Sequence, residues 1–404
     1  MRDCAVVIVG GGPAGVATAL FLTNAAPQLL GRVVVLEKEH YPREKFCAGG
    51  IGARGDRLLS SIGVTVDVPS VPVNGVGFRA MGQTTVVRDG HIGRVVRRVE
   101  YDAELAKIAR GRGIEILEGA QVRGVARVDG GFEVDSSQGE FRTSALVGAD
   151  GVGSVVRRSL GFGATRYRAQ ALEIDTEMVD DDLPRDLLLF DASHRELPGY
   201  YWDFPTLVGG REMMCRGVYL LSAGAQTPAV QIQDILEQEL KARGLRLGDY
   251  RKKRFAERGF EPHRAVSQPH VLLVGESAGI DPVTGEGIAQ ALFYGETAGR
   301  YLADRVPRGV FDFADWPETV RANHVGRDLL VRERGVALFY GAARPNVERF
   351  LHASPEFVRL GLQHFAGKPW SRVQVARASL LALGHAARFG LHRVLGGGAK
   401  ADLD

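Results

Sequence analysis

Two glycine-rich segments, far apart in the chain, hold residue types that can do chemistry. The first is Gly10-x-Gly12-x-x-Gly15, with Pro13 and Ala14 inside it. The second spans residues 274–292 and includes Gly275-Glu276 and Pro282-Val-Thr-Gly285-Glu-Gly287-Ile288. Bare backbone is what a phosphate or a flat ring needs for close approach. In the first segment Gly10 permits a tight turn, Gly12 lets backbone reach a pyrophosphate, and Gly15 lets helix and strand pack. A helix N-terminus there offers unpaired N–H groups and partial positive charge. Glu37, about 20 residues on, has the position from which a carboxylate holds ribose hydroxyls. A carboxylate there argues against a 2′-phosphate, hence against NADP at this site, and leaves NAD and FAD open.

These residues need particular elements to place them. Residues 4–9 read as a buried parallel strand, 16–25 as a helix and 32–37 as a second strand. Residues 40–50 then form a turn-rich basic loop containing Arg43, Cys47 and Ala48. Such a loop suits lying across a cofactor. Arg98 and Asp102 sit at the start of a further helix. Residues 146–158 read as strand, glycine turn and helix, with Asp150-Gly151 in the turn. As an N-cap alone, Asp150 would contribute about 1 kcal/mol. The apolar run 271–274 leads into the second glycine segment, and a helix is expected from Ile288.

Taken together these segments resemble a group of flavoproteins: aromatic-ring hydroxylases, flavin-dependent halogenases and geranylgeranyl reductases. The likeness covers roughly residues 1–330 and rests on the first glycine loop, Arg98…Asp102, Asp150-Gly151 and Gly275-Glu276. It implies an extended FAD. The first loop would take the pyrophosphate, Glu37 the ribose, and Arg98 would reach the cofactor. Gly275, Glu276, Gly285, Gly287 and Ile288 would serve the ribityl chain and the flavin. Lys38, Arg43, Cys47, Ala48, Val122 and Asp150 complete the cofactor set. The group usually has Gly-Asp where this chain has Gly275-Glu276. The implied fold is α/β: a Rossmann-like FAD-binding domain, an inserted mainly antiparallel substrate sheet, and a helical C-terminal region. The expected division gives residues 1–68, 97–164 and 263–330 to the FAD-binding domain. Residues 69–96 and 165–262 go to the substrate domain, and 331–404 to the helices.

Within the substrate part, Tyr200, Trp202 and Phe204 resemble the reductases' Tyr-x-Trp-x-Phe-Pro pattern. They would wall a flat or apolar substrate, and core packing explains them equally well. Cys47-Ala48-Gly-Gly resembles the reductases' Cys-Gly-Gly-Gly, so Cys47 is a candidate beside the flavin, or a packed small residue. Halogenation is disfavoured, because no lysine lies between Phe46 and Lys107 and Tyr200 replaces the first Trp of that pattern. The resemblance implies an FAD-dependent oxidoreductase. A monooxygenase acting through a flavin C4a-hydroperoxide on an electron-rich, large or carrier-bound substrate is the first expectation. Reduction of polyprenyl double bonds is the alternative, and a non-catalytic maturation or interaction protein the third. No second dinucleotide loop is evident, so NAD(P)H, if it is the reductant, must visit transiently.

Composition bounds the remainder. Hydrophobic residues make up 45% and charged residues 25%, as in a soluble enzyme. A net charge of +3 gives no reason to expect nucleic acid. The excess of basic residues lies after residue 330, where a membrane surface or an acidic protein partner would find it. Three cysteines, Cys4, Cys47 and Cys215, make no disulfide framework and suit a reducing cytoplasm. Residues 5–22 are apolar, but Gly10-Gly-Gly-Pro13 at their centre argues against a signal peptide. Prolines at 345, 355 and 369 divide the C-terminal part into short helices. The spacing of His352, His364, His385 and His392 does not suggest a metal.

Overall fold

The computed structural model describes residues 1–224 and 228–389. Residues 390–404, including His392 and the end of the basic region, lie outside the described residues. So do the side chains of Leu383, His385 and Phe389.

Two eight-stranded sheets form the frame. In the first, Arg2–Val9 lies between Gly139–Gly148 and Val33–Leu36, parallel to both. Glu115–Leu117 and Val271–Leu273 extend it, also in parallel. Its central strands read as unbroken apolar runs because both faces are covered. Helix Pro13–Ala25 follows the first strand directly. It is buried almost all round, between the sheet and helix Ile288–Arg305. Those two helices pack closely at Gly295 and Gly299. A Cβ on Gly295 would stand 2.5 Å from Ala17 Cβ, and one on Gly299 2.6 Å from Phe21 Cβ. The chain thereby brings its first and last glycine segments together.

The second sheet is antiparallel except where Leu187–Asp191 runs parallel to Ser70–Ala80. Its long strands, Tyr167–Thr176, Gly199–Val208 and Arg211–Ala223, lie side by side. The sheet reaches back before residue 69, because Gly50–Gly52 pairs with Gln83–Val96. The C-terminal helices likewise begin before residue 331. They are His324–Tyr340, Arg344–Ala353, Pro355–Ala366 and Arg372–Phe389. Pro345 and Pro355 stand at helix starts, where a missing N–H costs nothing. Pro355–Ala366 packs on Gln83–Val96, so the helices cover the second sheet.

Candidate functional site

Between the two sheets a cleft of about 600 Å³ runs from the first glycine loop to Ile288. Gly10, Gly12, Pro13 and Ala14 form one end, with Glu37, Lys38 and Arg43 beside them. Val122, Asp150, Arg98, Glu276, Gly285 and Gly287 continue the wall. A Cβ on Gly10 would lie 2.4 Å from the Ala149 carbonyl oxygen, so the turn needs glycine. Gly12 has a different reason. The nearest atom to a Cβ there is Arg43 Nη2 at 3.8 Å, so the space over Gly12 belongs to the cleft. Gly15 stands behind the loop, where a Cβ would strike the Gly10 carbonyl, and serves helix–strand packing as expected.

The carboxylates of the cleft have local duties. Glu37 is 4% exposed and accepts hydrogen bonds from the N–H groups of Gly11 (2.9 Å) and Glu39 (3.0 Å). It therefore fixes the glycine loop as well as facing the cleft. Asp150 accepts from the N–H groups of Val155 (2.6 Å) and Val156 (3.2 Å), ahead of helix Val155–Ser159. Helix capping and cleft lining coincide in this residue. Asp102, 1% exposed, takes a two-pronged bond from Arg98 (2.7 Å each) and lies 3.1 Å from Arg43 Nη2. Burial works against the Arg98 charge, but Asp102 more than offsets it and holds the guanidinium firmly cationic.

Two further residues of the expected set stand outside the cleft lining. Gly275 does not line the cleft. Its φ is +59°, and a Cβ on it would stand 2.6 Å from Ala14 Cβ, so its bareness lets the strand end seat against helix Pro13–Ala25. Ala48 lies beyond the cleft, in the wall of a neighbouring pocket. Glu276, the departure from the usual aspartate, does face the cleft.

That neighbouring pocket, about 290 Å³, joins the cleft through Cys47, Glu257, Gly285, Gly287 and Ile288, which line both. Tyr200, Trp202 and Phe204 are at alternate positions of one strand, so all three face it. Trp202 can lie flat because its neighbour on the next strand is Gly217, where a Cβ would be 2.3 Å from the indole. Tyr219 stacks on Tyr200 at 5.3 Å, and Phe190 meets Phe204 edge-on at 5.2 Å. The loop between pocket and cleft is pinned. The carbonyls of Pro282, Val283 and Thr284 accept from the hydroxyls of Tyr219 (3.2 Å), Tyr340 and Tyr200 (2.5 Å). Asp281 accepts from the N–H groups of Val283 (2.7 Å) and Thr284 (3.1 Å). Helix Ile288–Arg305 starts immediately after this loop, so its free N–H groups point at the junction.

Glu257 was not evident from the sequence. It stands on the edge strand Lys253–Arg258, and its Oε2 is buried without a hydrogen-bond partner. Burial, with the Glu276 charge nearby, raises its carboxyl well above the ordinary range. Burial also pushes the Cys47 thiol up, against the pull of Arg98. A carboxyl and a thiol, both pushed towards their protonated forms, therefore meet at the junction. The aromatic pocket opens in turn into a chamber of about 1110 Å³ under the C-terminal helices, sharing Val76, Phe190, Tyr200, Thr284 and Leu362 with it. No group of three or more metal-ligating side chains occurs among the described residues.

The polar atoms left over in the cleft fit an extended dinucleotide. Glu276 Oε1 and Glu257 Oε2 are buried without partners, and so is Arg43 Nε, which lies 3.4 Å from Glu37 without hydrogen-bond geometry. Residues 3–196 match the family model for an FAD binding domain. The chain carries an FAD binding domain. It is 27% identical to the menaquinone reductase of Mycolicibacterium smegmatis, over 81% of this chain and 83% of that one. It is 25% identical to digeranylgeranylglycerophospholipid reductase 1 of Methanococcoides burtonii, over 74% of each. Two solved structures share the fold at 18% identity. The geranylgeranyl bacteriochlorophyll reductase-like protein of Thermoplasma acidophilum has a TM-score of 0.66 (96% and 99% covered). The p-nitrophenol 4-monooxygenase of Pseudomonas putida has 0.67 (90% and 98%). This FAD-dependent oxidoreductase thus has reductases among its sequence relatives and shares its fold with a reductase-like protein and with a monooxygenase.

Proposed function

We propose that the chain reduces carbon–carbon double bonds in a long, prenyl-type lipid. The observation that carries this reading is the junction itself. The half-buried Glu257, its carboxyl Oε2 enclosed without a hydrogen-bond partner, stands where the FAD cleft meets an aromatic pocket, and that pocket continues into an apolar chamber. Reduction of C=C adds a hydrogen with its electron pair to one carbon and a proton to the other. When bound, reduced FAD supplies the former. Glu257 holds the proton, and a proton from solvent restores its acid form after each turn. Aromatic walls at Tyr200, Trp202 and Phe204 exclude water and present flat faces to the double bond. The chamber accommodates the rest of a chain longer than the 290 Å³ pocket can hold. The named reductases among the relatives point the same way.

Hydroxylation, the first expectation from the sequence, stays as the second reading. The stacked Tyr200–Tyr219 pair favours it, because a flat electron-rich ring would fit beside that wall. One experiment separates the two. The flavoprotein is reduced without oxygen and mixed with a geranylgeranyl lipid. Anaerobic reoxidation with formation of the saturated lipid supports reduction. Reoxidation only on adding oxygen, with a hydroxylated product, supports the second reading and ends the first.

A further inference from the structure

Exposed large apolar side chains gather on the C-terminal helices. Val331 (68%), Phe357 (38%) and Trp370 (47%) are exposed and also line the chamber. The chamber therefore ends in an apolar mouth. Helix Arg372–Phe389 adds Ala378 and Ser379 to the chamber wall and turns Val373 (62%), Leu380 (70%) and Leu381 (40%) to solvent. A helix that presents Val373 and Leu380 outward carries its apolar stripe on the side away from the protein. Basic residues flank this surface. Arg377 is exposed on the same helix, and Arg327 is exposed at the mouth without an ion-pair partner among the described residues. Helix Arg372–Phe389 joins the apolar mouth to the outward stripe; Asp328 and Glu348, which also line the chamber, are paired with arginines, and Glu356 beside Phe357 is the exposed acid nearest the mouth.

We propose that this face docks on an anionic lipid bilayer, with helix Arg372–Phe389 lying in the interface and the chamber mouth opening onto the lipid. No helix among the described residues is long and apolar enough to cross a membrane, so the contact is peripheral. Apolar side chains supply the insertion and the arginines supply attraction to acidic headgroups. A substrate chain enters the chamber from the bilayer without crossing water. The proposal rests on the prenyl-lipid reading for its purpose, but docking is measured without turnover, so the two fail separately.

Of the three tryptophans, Trp202 and Trp316 are buried and Trp370 is exposed, so Trp370 emission reports the mouth. The full chain with bound FAD is titrated with phosphatidylglycerol vesicles and with phosphatidylcholine vesicles, and co-sedimentation is run beside the fluorescence. The expected result is a blue shift and co-sedimentation with phosphatidylglycerol, weakened by salt, and far weaker binding to phosphatidylcholine. The double variant Leu380→Glu/Leu381→Glu changes exposed side chains outside the chamber wall. It should bind the acidic vesicles at least roughly tenfold more weakly, because two leucines that would insert into the lipid are lost and two charges of the headgroups' sign are added, while keeping its FAD spectrum. Trp370→Phe should abolish the shift and retain co-sedimentation. Absence of binding to acidic vesicles overturns the proposal, as does binding that the double variant leaves unchanged. A dimer in solution that the double variant dissolves overturns it too, and assigns the face to a second copy of the chain.

Discussion

Glu257 and Gly285 meet at the junction of cofactor cleft and aromatic pocket. A Cβ built on Gly285 would stand 2.7 Å from Glu257 Oε2 and 3.2 Å from the Tyr219 ring. Gly285 also has φ +66°, a conformation that costs a side chain roughly 1–2 kcal/mol. Bare backbone at this point therefore leaves room for both the acid and a bound ring. Gly285→Ala should fold, because the pinned loop spreads the strain, yet should displace Glu257. FAD affinity and turnover are expected to fall together, read by flavin titration and by the lipid assay.

Glu257→Gln tests the proton itself. The amide keeps the shape and removes the acid. Because burial raises the Glu257 carboxyl, the folded protein keeps a proton that the unfolded chain releases. Stability of the native protein should therefore fall as pH rises from the ordinary carboxylate range towards the raised value. Activity should fall over the upper part of that rise, as the donor ionises. The variant should lose both dependences. Its turnover should be lower by about 10²-fold or more, with reduction of the bound flavin unchanged. A variant with wild-type turnover would remove Glu257 from the reaction.

Gly12→Ala and Gly10→Ala separate cofactor binding from folding. Nothing nearer than 3.8 Å meets a Cβ at Gly12, so the apo-protein should keep its stability to within about 0.5 kcal/mol. FAD binding should be lost, because the methyl occupies the pyrophosphate's place. At Gly10 the same methyl meets Ala149 backbone at 2.4 Å, so the apo-protein itself should lose about 1–3 kcal/mol. Thermal melts with and without FAD distinguish the two patterns.

Much of the cofactor side was legible because its residues are local. The loop from Gly10 to Gly15, Glu37, and the pair Arg98 and Asp102 each sit in one short segment with its own strand or helix. Tyr200, Trp202 and Phe204 were singled out by their resemblance to a family pattern, and alternation on one strand is what sends them to one face. Glu257 was not, since a lone carboxylate on an edge strand has no pattern; only the pairing of Lys253–Arg258 with Tyr167–Thr176 places it. Gly275 was ambiguous for a related reason. A glycine beside a cofactor and a glycine beside a helix look alike until Ala14 is seen against it. The chamber was invisible because it depends on how helices from His324 onward settle on the second sheet.

Asp328 holds those helices to the cofactor side, and its loss is the sharpest test of how they are held. It lies on helix His324–Tyr340 and pairs with Arg54 (3.0 Å), Arg332 (3.0 Å) and His364 (2.9 Å). Arg54 and Arg332 also bind Glu286 (2.7 Å each), between Gly285 and Gly287. Burial disfavours the Asp328 charge, but Arg332, His364 and Arg54 outweigh it and hold the carboxyl well below the ordinary range. Its contribution is present above the unfolded carboxylate range and is lost as pH falls. Asp328→Asn leaves the buried Arg54 and the half-buried Arg332 short of a charge, so it should cost about 3 kcal/mol. The variant should also show a shallower loss of stability on acidification than the native protein. Because the same arginines hold Glu286, its turnover should drop even at temperatures where it is fully folded. Melting curves across the acid range, with the lipid assay at low temperature, check both expectations; an unchanged melting temperature would dissociate the helices from this anchor.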